Sequence, residues 1–147
     1  PTSSTSQRTD GDIVSFDESL RSITLEADSS IGKYTGVPGG AGSASPNGGK
    51  QYCFVKLTGA LTVGLSVAAA DVTIGVLQNK PQQAGGAATV AIRGVSNVVA
   101  GEVLAAGDGV VPDDEGRAVK VDIGETAVGI ALKAGTEDAL LPVLLRV

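Results

Sequence analysis

Few side chains in this sequence can do chemistry, and they do not stand together. Histidine is absent, which removes the commonest general base, the usual catalytic triads and most transition-metal sites. Cys53 is the only cysteine, so no intramolecular disulfide and no cysteine zinc site can form. It lies in the apolar run Tyr52-Cys53-Phe54-Val55, where a buried, inert thiol is the expectation.

Three constellations invite a sharper reading. Gly48-Gly49-Lys50-Gln51 resembles the end of a phosphate loop, but that motif requires Gly at position 44 and Ser or Thr at position 51. The sequence has Ala44 and Gln51, and a flexible loop is the better reading. Asp108, Asp113, Asp114 and Glu115 gather carboxylates, yet not in the alternating order with a distal bidentate acid that a calcium loop needs. They read as a solvated hairpin tip. Lys120 could suggest a swinging-arm carrier lysine, but Val119-Lys120-Val121 belongs to an alternating strand, not a tight tip. No set of acid, base and nucleophile is visible, so the chain is expected not to be an enzyme and to use no cofactor or metal.

The elements that would hold such groups are strands. Hydrophobic residues make up 42% of the chain but aromatics only 3%, so Val, Ile, Leu and Ala must fill the core, and branched aliphatics favour pleated sheet. Ile23, Leu25 and Ala27 alternate with Thr24 and Glu26, as in a half-buried strand. Cys53, Val55 and Leu57 alternate with Phe54, Lys56 and Thr58; Val90 and Ile92 alternate with Thr89, Ala91 and Arg93. Val119, Val121 and Ile123 against Ala118, Lys120 and Asp122 give the cleanest amphipathic strand. Pro112-Asp113-Asp114-Glu115-Gly116 is a turn by composition and predicts a hairpin. Leu140-Leu141-Pro142-Val143-Leu144-Leu145 predicts a closing strand buried on both faces, with Pro142 near its start. Val72-Thr73-Ile74-Gly75-Val76 echoes Thr126-Ala127-Val128-Gly129-Ile130, and a glycine in mid-strand marks close backbone approach or a bend.

Together these predict a mainly β protein, a small β-barrel-like or sandwich module. Residues 1–12 are polar and aperiodic and read as a flexible N-terminal arm. Residues 13–147 read as one β-rich domain, densest over 50–147 and interrupted by a Gly-rich loop at 36–49. The region 60–77 is about as long as a membrane span, but Asp71, two glycines and several hydroxyls break it into two strand-like halves. With 16 acidic against 11 basic residues the net charge is −5, which argues against nucleic acid and anionic membrane as partners. The start Pro1-Thr2-Ser3-Ser4 has no signal-peptide character, so cytoplasmic synthesis is expected.

One further pattern is the order of small aliphatic segments. Ile74-Gly75-Val76-Leu77-Gln78-Asn79-Lys80-Pro81 is followed by Ala88-Thr89-Val90, Gly94-Val95 and Val99-Ala100-Gly101. Ala105-Ala106-Gly107-Asp108 and Val128-Gly129-Ile130-Ala131-Leu132 complete it. Over roughly 50–147 this resembles the capsid decoration, or cement, proteins of bacteriophage heads. The resemblance implies a compact β-barrel-like fold, a homotrimer, the major capsid protein as partner, and a place on the outer surface of the virion, stabilising the expanded shell. A tail or fibre module of the virion is the alternative, and a barrel-sandwich carrier a third. The short apolar patch Ile13, Val14, Ser15 and Phe16, between the polar leader and Asp17-Glu18, is the candidate capsid-binding segment, since an extended peptide can add to a sheet edge.

Overall fold

The computed structural model describes residues 20–31, 50–81 and 83–146. The arm, the Gly-rich loop and the candidate segment Ile13–Phe16 lie outside the described residues. Among the described residues the fold is all β, with ten strands in two sets of five. The first set is β1 (Arg21–Ala27), β2 (Phe54–Gly59), β3 (Thr62–Leu65), β4 (Thr73–Leu77) and β5 (Ala87–Arg93). It closes into a barrel in the order β1-β3-β2-β4-β5. The second is β6 (Val95–Val99), β7 (Gly109–Pro112), β8 (Ala118–Lys120), β9 (Gly129–Ala131) and β10 (Leu140–Leu145), ordered β6-β10-β9-β7-β8.

The second sheet curls back on itself as well. A parallel bridge joins Ala100, just past β6, to Ala118 of β8, and the Gly101 N–H donates to the Ala118 carbonyl at 2.7 Å. Followed around the wall, the two circuits are β1-β3-β2-β4-β5 and β6-β8-β7-β9-β10, the same topology used twice. In each, one parallel contact, β1 to β3 or the Ala100 bridge, completes an otherwise antiparallel wall. The register agrees too: Val55 stands opposite Gly75 in the first unit, Val110 opposite Gly129 in the second. The echo read from the sequence thus falls on equivalent strands, β4 and β9. A Cβ on Gly75 would collide with the Ala91 carbonyl oxygen and come within 2.8 Å of Val90 Cγ1. On Gly129 it would meet Leu144 O at 3.0 Å and Val143 Cγ1 at 2.5 Å, the corresponding atoms of the other unit. The two units meet at Gly94, whose φ of 99° turns β5 directly into β6.

Two apolar clusters hold the units together. Ala27, Ile31, Val55, Val63, Leu77, Ala88 and Val90 fill the barrel. Small β-branched side chains suit it, because a barrel of few strands has a narrow interior. The larger cluster joins Phe54, Val76 and Ala91 from the outside of the barrel wall to Val98, Leu104, Val110, Leu141 and Val143 of the second unit. Strands β2, β4 and β5 therefore bury both faces: Val55, Leu77 and Val90 point into the barrel, while Phe54, Val76 and Ala91 point out of it into the second core.

This double burial corrects one predicted alternation. Cys53, Phe54 and Val55 are all buried and Leu57 is exposed, because a shared wall reads as a continuous apolar run rather than a period of two. The strand predicted over 118–123 stops at Lys120. Ile123 is fully exposed in a turn, where the Asp122 N–H donates to Glu125 Oε1 at 2.9 Å and the Glu125 N–H to the Asp122 carbonyl at 3.1 Å. The last strand is buried on one face only: Leu141, Val143 and Leu145 point inward, Leu140 and Leu144 outward. Pro142 is tolerated there because its carbonyl accepts from Leu132 N–H at 2.9 Å, which turns its missing donor toward the end of β9. The 112–116 turn and its β7–β8 hairpin form as predicted, and 60–77 does split into β3 and β4. No helix among the described residues is long and apolar enough to cross a membrane.

Candidate functional site

Most of the carboxylates singled out for chemistry are occupied in holding turns. Asp113 opens the β7–β8 turn: its Oδ1 accepts the N–H groups of Glu115 and Arg117, both at 2.8 Å, and its Oδ2 takes Arg117 Nε–H at 3.0 Å. Arg117 also reaches Glu115, Glu137 and Asp138, tying this turn to the loop before β10. Its pKa is raised: burial disfavours the charge, but the carboxylates of Asp138, Asp113 and Glu115 outweigh it. Asp108 accepts the Ala105 N–H at 2.9 Å across its own turn. Among the described residues no three His, Cys, Asp or Glu side chains converge as a metal site would require. Lys50 lies 4.0 Å from Glu115, and the Lys120 backbone N–H donates to Glu102 at 2.7 Å.

Asp71 plays the same part between β3 and β4. It accepts the Val67 N–H at 2.9 Å and Lys56 Nζ at 3.0 Å, and these bonds, the backbone one first, hold its pKa below the ordinary carboxylate value. Burial pushes the Cys53 thiol up to about 12. It should resist a thiol reagent such as Ellman's at pH 8 in the native state and react fully once the chain is unfolded. The unfolded thiol ionises near 9.0, so on this account the native state loses stability only above that pH, as pH rises toward about 12. Stoichiometric labelling of native protein at pH 8 would show that the thiol is not held as described.

What the structure offers outward is a surface. On the solvent face of β6, β10 and β9, Leu144 is flanked across the ladders by Val95 and Ile130, and Pro142 by Asn97. Leu140, 45% exposed, and Leu132, 42% exposed, extend the patch. Leu141, Val143 and Leu145 supply the core side of the same strand, so these outward aliphatics are not needed to close the fold. Contiguous exposed apolar area of this kind marks interaction surfaces. The only sequence signal for it was the apolar character of both strand faces in 140–145, which also fits a buried central strand.

No protein-family model and no curated protein matches the sequence. Among solved structures, the chain is similar to the N base of head fiber gp8.5 in bacteriophage phi29, with a TM-score of 0.60 at 17% identity. The match covers 87% of this chain and 95% of that one. At this identity the likeness is one of fold.

Proposed function

We propose that the chain is a non-enzymatic structural protein of a bacteriophage head, acting on the outside of the virion as a decoration protein that stabilises the expanded shell. The observation that carries this reading is the all-β, two-unit fold, shared over nearly the whole chain with a phage head-fiber base. The order of aliphatic segments that resembles capsid decoration proteins supports the same setting independently. Charged groups spent on turns and an outward aliphatic face suit a protein that binds other proteins. The proposed partners are the major capsid protein and two further copies of the chain, in a trimer that would bridge neighbouring shell subunits.

The likeness to a fiber base favours a second reading, in which the same module seats a fiber on the head. Co-sedimentation with undecorated expanded heads of its own phage tests the first claim: the purified chain should saturate them and raise the temperature at which they rupture. Imaging separates the readings, because decoration covers the shell lattice and a fiber base occupies a few fixed sites. Deleting residues 1–16, and with them Ile13, Val14, Ser15 and Phe16, should leave thermal unfolding nearly unchanged and weaken head binding at least about tenfold. Equal binding by the truncated chain would remove the arm as anchor, and failure of the full chain to sediment with heads would remove the decoration reading.

A further inference from the structure

Three arginines gather where the two units join, two of them opposite one another at a bulge. Arg21 pairs with Arg93 across β1 and β5. Val95 pairs with Leu144, and the Leu145 N–H donates to the Gly94 carbonyl at 2.9 Å. Arg146 follows Leu145 in the chain, so it stands at the same junction. All three residues are exposed.

Among the described residues no carboxylate pairs with them. None of the three makes a side-chain hydrogen bond among those residues, whereas Arg117 alone is met by four carboxylates. The chain has acids to spare, 16 against 11 bases, yet places none of the described ones here. Like charges directly opposite one another weaken a sheet, so the Arg21–Arg93 pairing is a cost to the isolated fold. Two residues on from Arg93, past the bend at Gly94, stand Val95, Leu144 and Ile130, the middle of the outward aliphatic patch. Guanidinium groups bordering exposed aliphatics are the composition of a protein interface, and the planar fork of arginine suits carboxylates.

We propose that the Arg21–Arg93–Arg146 cluster, with the Val95–Leu144–Ile130 row beside it, is the docking face for an acidic surface on another protein chain. Symmetric pairing of two copies through this face would bring six guanidiniums together, a repulsion that works against a two-fold contact there. Nucleic acid would meet a body of net charge −5 around a patch only three residues wide. That the partner is the head shell rests on the function proposed above; that it is an acidic protein surface does not.

The test uses the full chain in two stages. Hexaglutamate peptide is titrated while backbone amide shifts are followed, with inorganic phosphate and a DNA duplex as comparisons. Shifts should concentrate at residues 21, 93–95 and 144–146. Affinity should fall at least about tenfold in the Arg21→Gln/Arg93→Gln/Arg146→Gln variant and be largely kept when the three are changed to Lys. Cooperative thermal unfolding of both variants, at or above the wild-type temperature, shows that they fold. Tighter binding of phosphate or DNA than of the peptide, or shifts scattered over Lys120 and Lys133, would overturn the proposal. So would a self-association of the wild-type chain that the Gln variant loses. In the second stage both proteins are sedimented with undecorated heads. If the Gln variant binds as the wild type does, the docking face is wrong and the head reading stands. If neither binds while the peptide maps to the cluster, the head reading fails and the docking face stands.

Discussion

Replacing Gly75 by Ala should stop the chain from forming a stable barrel. The added Cβ would overlap the Ala91 carbonyl oxygen and press on Val90 Cγ1, so β4 and β5 could not keep their spacing. The obstacle is backbone in a closed wall rather than the end of a flexible side chain. The cost should therefore reach or exceed the top of the usual overpacking range, ~3 kcal/mol. Small domains have roughly 5–15 kcal/mol in hand, so much of the stability would be lost. Denaturant unfolding of Gly75→Ala beside Gly59→Ala checks this. At Gly59 the nearest atom to a new Cβ is Thr62 Cβ at 3.6 Å, and the change should cost about 1 kcal/mol or less. Similar midpoints for the two variants would mean that the wall is not as tight as described. Gly129→Ala should fall between them, since its harshest contact, at 2.5 Å, is with a Val143 methyl that can turn aside.

Phe54→Ala should lower stability by about 3–5 kcal/mol, corresponding to a Tm drop of roughly 10 °C or more. Phe54 is fully buried and is the largest side chain in the shared cluster, reaching from the barrel wall to the second unit. With so few aromatics in the chain, no neighbour can fill the space it leaves. Leu57→Ala makes the comparison, because Leu57 lies on the same strand and is 53% exposed. It should cost under about 1 kcal/mol. If Phe54→Ala unfolds within a few degrees of wild type by calorimetry, the cluster is not the joint between the units.

Much of this fold was legible where one face of a strand meets water. Leu25 and Ala27 on β1 and the 112–116 turn behave as period and composition indicate. Legible too was the pair of glycines at 75 and 129, because a glycine within a β-branched run has few purposes other than close approach. The reading failed where burial is two-sided or where local pattern outran the ladder. Around Cys53–Val55 a barrel wall also serves as the floor of a second core, and no periodicity in a single segment reports a neighbour on its far side. Ile123 continued an alternation that β8 does not, since β7 has no partner left to offer beyond Gly109 and Val110. The arginine cluster was invisible for a different reason. Arg21, Arg93 and Arg146 are scattered along the chain, and only the register of β1, β5, β6 and β10 assembles them.

The circuit of the first unit also dictates the order in which its wall can assemble. Strands β2, β3, β4 and β5 are neighbours in sequence and can pair through local contacts, which form quickly. β1 must return across residues 28–53 to slot between β3 and β5, a non-local pairing that comes late. Until it does, β3 and β5 expose unpaired edges to every other nascent copy in the cell. The pace at which residues 21–27 find that slot therefore sets how long each new chain is open to aggregation.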